Sequence, residues 1–348
     1  MRRAATTRPA LLPSAMKGHS SATTGPRITP RCAPRPGEGK SRGAAAWGAL
    51  GVLAFSFTLP ATRLAVHDLD ETVVGLGRAV VAALLAAVVL VARHEPFPAA
   101  RHIRRLGVVA LGVVVGFPLF TSLALAHVPA AHGAVIVGLL PAATAAMAVL
   151  RARERPSTRF WIAAAAGLLA ALAFAASQGA GRPQAGDLLI LVAVALGALG
   201  YAEGGALARD IGGWRVICWA LLLAAPFLAP VVAWKAAQTG LDAGVDAWLG
   251  FAYLSVFSMF LGFFAWYRGL ALGGVARIGQ LQLAQPVLTL LWSALILGER
   301  FGAGTLAAAL AVLACAGLTQ RTRIARPPDR TGIEREPASP VEGARANG

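Results

Sequence analysis

The chain has 348 residues, 57% of them hydrophobic and only 14% charged, with a mean hydropathy of +0.64. Soluble domains carry about a quarter charged residues, so this composition excludes a water-soluble globule, a disordered chain and a disulfide scaffold. The net charge of +16 gathers at the ends, with nine of the 32 Lys and Arg in residues 1–42 and six more beyond Leu318. Basic tails of this kind are drawn to the anionic cytoplasmic leaflet. They hold neither stacking aromatics nor a folded motif, which points away from nucleic acid as a partner.

Residues 1–43 are expected to be a disordered basic cytoplasmic tail, rich in Pro, Ser, Thr, Gly and Arg. No apolar stretch in it fits a signal peptide, and Met16 is an alternative start to Met1. From Ala44 onward the apolar residues fall into ten blocks: 44–65, 72–92, 106–126, 131–150, 159–178, 187–207, 214–234, 248–270, 276–297 and 301–318. Such blocks approach the ~20 residues that a helix needs to cross hydrocarbon. Sustained apolar–polar alternation is missing, so helices and not a barrel are predicted to span the membrane. Residues 321–348 are again basic, Pro-rich and polar, and are expected to form a second disordered cytoplasmic tail.

Orientation follows from the charges. With the N-terminus inside, the inner loops hold twelve arginines from Arg93 to Arg277, against Arg63, Arg182, Lys235 and Arg300 outside. The positive-inside rule therefore predicts both termini in the cytoplasm. The excess of Arg over Lys points to a GC-rich bacterial genome, and the expected location is a bacterial cytoplasmic (inner) membrane.

An internal repeat organises the spans. Pro141 lies 13 residues before Glu154–Arg155, and Pro286 lies 13 residues before Glu299–Arg300. A shift of 145 residues also lays Leu125–Ala126 on Leu270–Ala271. Five helices per copy is an odd number, so the copies must be inverted. Inverted repeats with prolines in matched helices are a transporter signature. The predicted fold class is thus an all-α polytopic membrane protein, with ten transmembrane helices as two inverted five-helix repeats, 44–180 and 185–320.

Several local stretches then match a known family. They are Gln285-Pro286-Val287 followed by Leu297-Gly298-Glu299-Arg300, Trp266-Tyr267-Arg268-Gly269-Leu270, and Gly186–Asp187 opening the sixth span. In these the chain resembles the drug/metabolite transporter superfamily, EamA type. The first repeat departs from the pattern, with Arg151-Ala152-Arg153-Glu154-Arg155 where Leu-Gly-Glu-Arg is usual. The resemblance implies secondary active transport, with amino acids, other metabolites and drug-like compounds as the range of substrates.

Polar residues at membrane depth are the candidate site, because they are costly there. Glu203, beside Tyr201 in the sixth span, reads as a proton- or substrate-binding carboxyl, or as a group that snorkels or pairs with Arg209. Gln282 and Gln285 share a helix face and end at the Pro286 kink, which is expected to free the Gln282 carbonyl. They bind substrate or bond between helices. Arg78 suits the carboxylate of an anionic or amino-acid substrate, or else snorkels outward or pairs with Asp70. Ser56, Thr58, Thr121 and Ser122 line a cavity or bond their own helices. Pro141 and Pro286 are the expected helix breaks. Trp266 and Tyr267 read as an aromatic belt, His132 as interfacial, and Glu154 and Glu299 as structural.

The partners expected are a small-molecule substrate and the lipid bilayer, with a homodimer left open. Neither a cofactor nor a metal is called for: Cys32, Cys218 and Cys315 show no CxxC spacing. An ATP-binding loop is missing, which leaves a gradient as the energy source. The rival class is an intramembrane enzyme. Its one foothold is Asp68, Asp70 and Glu71 as metal ligands, and these read equally as caps of the next helix.

Overall fold

The computed structural model describes residues 38–152, 158–178, 184–300 and 302–321, and among them there is no strand. They lie within the compact unit Gly37–Gly348. The helices are α1 (Gly43–Asp68), α2 (Glu71–Ala92), α3 (Ala100–Leu125), α4 (Ala130–Leu150) and α5 (Thr158–Gln178). They continue as α6 (Ala185–Ile211), α7 (Gly213–Thr239), α8 (Val245–Gly273), α9 (Gln285–Leu297) and α10 (Ala303–Arg321). Seven of the described helices, α1–α4 and α6–α8, are long and apolar enough to cross a bilayer. This is the architecture of a multi-pass membrane protein. The ninth expected span is shorter because it opens as the helix Val275–Ile278 and the 3-10 segment Gly279–Ala284 before α9 begins. Both expected tails, apart from residues at their inner edges, and the Glu154–Arg155 pair fall outside the described residues.

Local chemistry sets the helix ends. Asp70 caps α2, accepting the N–H groups of Thr72 at 2.9 Å and Val73 at 3.2 Å. A helix start leaves such donors orphaned, and a short acidic side chain satisfies them. This is the cap reading of the acidic cluster. A single residue, Gly212, separates α6 from α7, and its φ of +89° needs a residue without a Cβ.

A turn at Phe57 interrupts α1 and has no counterpart in α6, while four other irregular segments recur at the repeat spacing. A π-helical stretch, Ala110–Gly116, sits inside α3, and another, Leu254–Leu261, sits inside α8. In α4 the helix is interrupted at Gly138–Leu139, just ahead of Pro141, and the 3-10 segment Gly279–Ala284 stands just ahead of Pro286. Adding 145 to the first member of each pair lands in the second. A π-turn widens the helix and loosens its hydrogen-bond ladder, which is common at functional sites.

Small residues bring the helices together. A Cβ on Gly112 of α3 would lie 2.6 Å from the Leu196 carbonyl oxygen and 2.8 Å from the Gly200 Cα, so α3 and α6 cross backbone to backbone. Trp266 and Tyr267 are wholly buried, not belted at the interface as the sequence had it. Gly51 makes room for the Trp266 backbone and Gly204 for the Tyr267 ring, and the Tyr267 hydroxyl donates to the Gly200 carbonyl at 3.1 Å. On the outside of α2, Leu84, Val88 and Val91 form an exposed stripe at helical spacing. Lipid is the solvent that suits it.

Candidate functional site

A cavity lies where α1, α2, α3, α6, α8 and α9 converge. It is lined by Phe55, Thr58 and Leu59 of α1, by Arg78 of α2, and by Val113, Phe117 and Pro118 of α3. Tyr201 of α6, Ser258, Met259 and Phe263 of α8, and Gln285 of α9 complete the lining. Both π-helical stretches contribute to it, through Val113 and through Ser258 and Met259. Only about 20 Å³ of the cavity admits the centre of a water-sized sphere, room for about one water. The cavity is narrow, and part of its lining remains open.

Arg78 is the charged group of this lining. It is 1% exposed, and its Nε and Nη2 have no hydrogen-bond partner. The two alternatives read from the sequence both fail. Snorkelling fails because the head is enclosed, about 12 Å along α2 from Asp70. Pairing with Asp70 fails because that carboxylate caps α2 and meets Lys235 Nζ at 3.3 Å. An unpaired guanidinium at this depth is costly, which marks it as functional.

Gln285 reaches the cavity with its Oε1 unpartnered. Gln282 is buried with both amide atoms unpartnered, and it is not among the lining residues. Its backbone carbonyl is not freed by Pro286, contrary to expectation. The 3-10 turn supplies a nearer donor, the Gln285 N–H. Tyr201 lines the cavity among Phe55 at 6.0 Å, Phe263 at 6.0 Å and Trp266 at 5.6 Å between ring centres.

Ser56 and Thr121 do not join the lining. The Ser56 hydroxyl donates to the Leu53 carbonyl and accepts from Trp292 Nε1 at 3.0 Å. The Thr121 hydroxyl donates to the Phe117 carbonyl at 2.7 Å. Hydroxyls in helices find such acceptors one turn back. The cavity's hydroxyls are instead Thr58 and Ser258, hydrogen-bonded to each other at 2.8 Å across α1 and α8. Ser258 was invisible in the sequence, since only the π-turn aims it inward.

Charged pairs lie on both sides of Tyr201 along α6. At one end Glu203 of α6 pairs with Arg105 of α3, not with Arg209 of its own helix. A residue six positions on lies off the Glu203 face. Arg105 also donates to Asp210 at 2.9 Å. At the same end Arg215 of α7 donates to Glu95 of the α2–α3 connection at 2.5 Å. That bond, with the charges of Arg215 and Arg93, holds the Glu95 carboxyl below its ordinary range.

At the opposite end His132 of α4 bonds Asp187 of α6 at 2.6 Å. Both are buried, so the interfacial reading of His132 is corrected. Asp187 is needed inside because it also accepts the Gln184 N–H at 2.7 Å and so caps α6. Glu299 accepts from the N–H groups of Ala130 at 2.9 Å and Ala131 at 2.8 Å, capping α4. No three metal-ligating side chains come together among the described residues.

Comparison with known proteins adds a second line of argument. The EamA-like transporter family matches the chain twice, over residues 42–176 and 184–319. "Uncharacterized transporter YdeK" of Bacillus subtilis (strain 168) is 47% identical over 274 residues, which covers 79% of this chain and 96% of that protein. A solved crystal structure, 18% identical, matches with a TM-score of 0.56 over 80% of this chain and 98% of that one, a likeness of fold alone. Two copies of the family over most of the chain, with a relative named as a transporter, place the molecule among transporters and not enzymes: the chain belongs to the EamA-like transporter family.

Proposed function

We propose that the chain is a secondary active transporter of ten transmembrane helices, arranged as two inverted five-helix repeats, 44–180 and 185–320. It exports a small polar metabolite across the bacterial cytoplasmic membrane by alternating access, with both termini inside. The observation that carries this reading is the shared cavity, to which α1–α3 of the first repeat and α6, α8 and α9 of the second both contribute. Ion pairs and caps join the repeats on both sides of Tyr201 along α6. Opening one end at a time is what a carrier requires.

Proton coupling runs through Glu203. Its negative charge holds Arg105, and protonation removes that hold. The end that carries Arg93, Arg101, Arg104 and Arg105 is then the cytoplasmic one by the positive-inside rule. Purified protein in proteoliposomes, offered labelled amino acids, sugars and amphipathic cations and anions with and without a pH gradient, tests the reading. One class should accumulate in response to the gradient, and Glu203→Gln should lose that response. Wild-type pH dependence in Glu203→Gln removes Glu203 from the coupling role.

A further inference from the structure

We infer that the cavity, once its lining parts beyond the room for one water seen here, takes a small carboxylate on an apolar body, without an ammonium group of its own, held by Arg78. The inference rests on reading the cavity as the substrate site. Charge balance is the first argument. Among the described residues of the lining Arg78 alone is charged, and the carboxylates around it are spoken for. Asp70 holds Lys235, Glu203 holds Arg105, and Asp187 holds His132. The missing counter-ion must therefore arrive with the ligand.

Geometry narrows the ligand further. Nε and Nη2 are the two unpartnered nitrogens of Arg78, and their N–H groups run parallel along one edge of the guanidinium. That edge matches the two oxygens of a carboxylate, a bidentate fit that a single-oxygen acceptor cannot give. Around it Phe55, Phe117, Met259 and Phe263 are apolar, and the polar groups Thr58, Tyr201, Ser258 and Gln285 are neutral. Without an acidic side chain in the lining, a substrate ammonium finds no counter-charge. Amphipathic cations meet Arg78 as a like charge, and a zwitterionic amino acid, neutral overall, leaves the buried Arg78 charge uncompensated. The candidate substrates above thus reduce to organic acids.

Binding to the purified protein in detergent tests this separately from transport. The readout is the thermal unfolding midpoint against benzoate, benzamide, benzylamine and phenylalanine. Benzoate should stabilise at concentrations at least about tenfold below the other three, the usual worth of a charge-assisted bond. Arg78→Gln should erase the preference for benzoate over benzamide, and Arg78→Lys should keep part of it. Without ligand, Arg78→Gln should unfold at a higher temperature than the wild type, because an unpaired buried charge is gone. The inference is overturned by any of four results. These are a lower midpoint for ligand-free Arg78→Gln, equal effects of benzoate and any other probe, a benzoate preference that survives Arg78→Gln, or no wild-type shift with any probe. Arg78-dependent benzoate binding with no flux would instead sink the transporter reading, whereas gradient-driven flux of cations alone would sink only the carboxylate.

Discussion

Asp187 serves two purposes in one carboxylate, a partner for His132 and a cap for the first turn of α6. Asp187→Ala strips an acceptor from both, and a buried donor left unsatisfied costs about 1–3 kcal/mol. Thermal unfolding in detergent should show a clear loss. Asp210→Ala removes a half-exposed partner of Arg105 and should stay within about 0.5 kcal/mol of wild type. Glu95 makes a pH-dependent contribution instead. Its carboxyl is held below the ordinary value of 4.5 by Arg215, so the ion pair stabilises the fold fully above that value. The contribution fades as pH falls through the lowered folded value. The midpoint difference between wild type and Glu95→Gln should be constant near neutrality and close only below pH 4.5. Arg78, Glu203 and Gln285 were readable as candidates because polar groups are rare at membrane depth. His132 and Ser258 were not, since a histidine near a span end and a serine in a span look ordinary until the neighbouring helix is placed.

At the scale of helices, the crossing of α3 and α6 brings backbones of the two repeats into direct contact. At Gly112 the obstacle to a side chain is backbone, the Leu196 carbonyl and the Gly200 Cα, neither of which can swing away. Gly112→Ala must therefore push the helices apart, an overpacking that costs about 1–3 kcal/mol. Gly107, one π-turn earlier on α3, has open space around it, and Gly107→Ala should leave the unfolding midpoint unchanged or raise it. Equal effects at the two glycines would mean that α3 and α6 are not in backbone contact. Block length made seven of the expected spans readable, because hydrocarbon thickness acts locally. The π-helical stretches in α3 and α8 have no such local cause. They arise where packing against α6 and α2 overrides the helical ladder, and no residue type announces them.

Taken as a whole, the two repeats are joined at the two ends of α6 by different chemistry. The Arg105 end relies on ion pairs, Arg105 with Glu203 and Asp210, and Arg215 with Glu95. The other end relies on the buried His132–Asp187 pair and on Glu299 capping α4. Removing charge from Glu203 and Glu95 together should weaken the first end and leave the second intact, so the population shifts toward a state open on the Arg105 side. A single thiol reports this. In a chain with Cys32, Cys218 and Cys315 replaced, Ser258→Cys puts a sulfur in the cavity lining, at a position that is 5% exposed. A membrane-impermeant maleimide should label it slowly from either side. Adding Glu203→Gln and Glu95→Gln should speed labelling from the cytoplasmic face in inside-out vesicles, with little change in right-side-out ones. Faster labelling from the external face alone would reverse the assignment of the two ends, and equal acceleration from both faces would mean a pore, not a carrier.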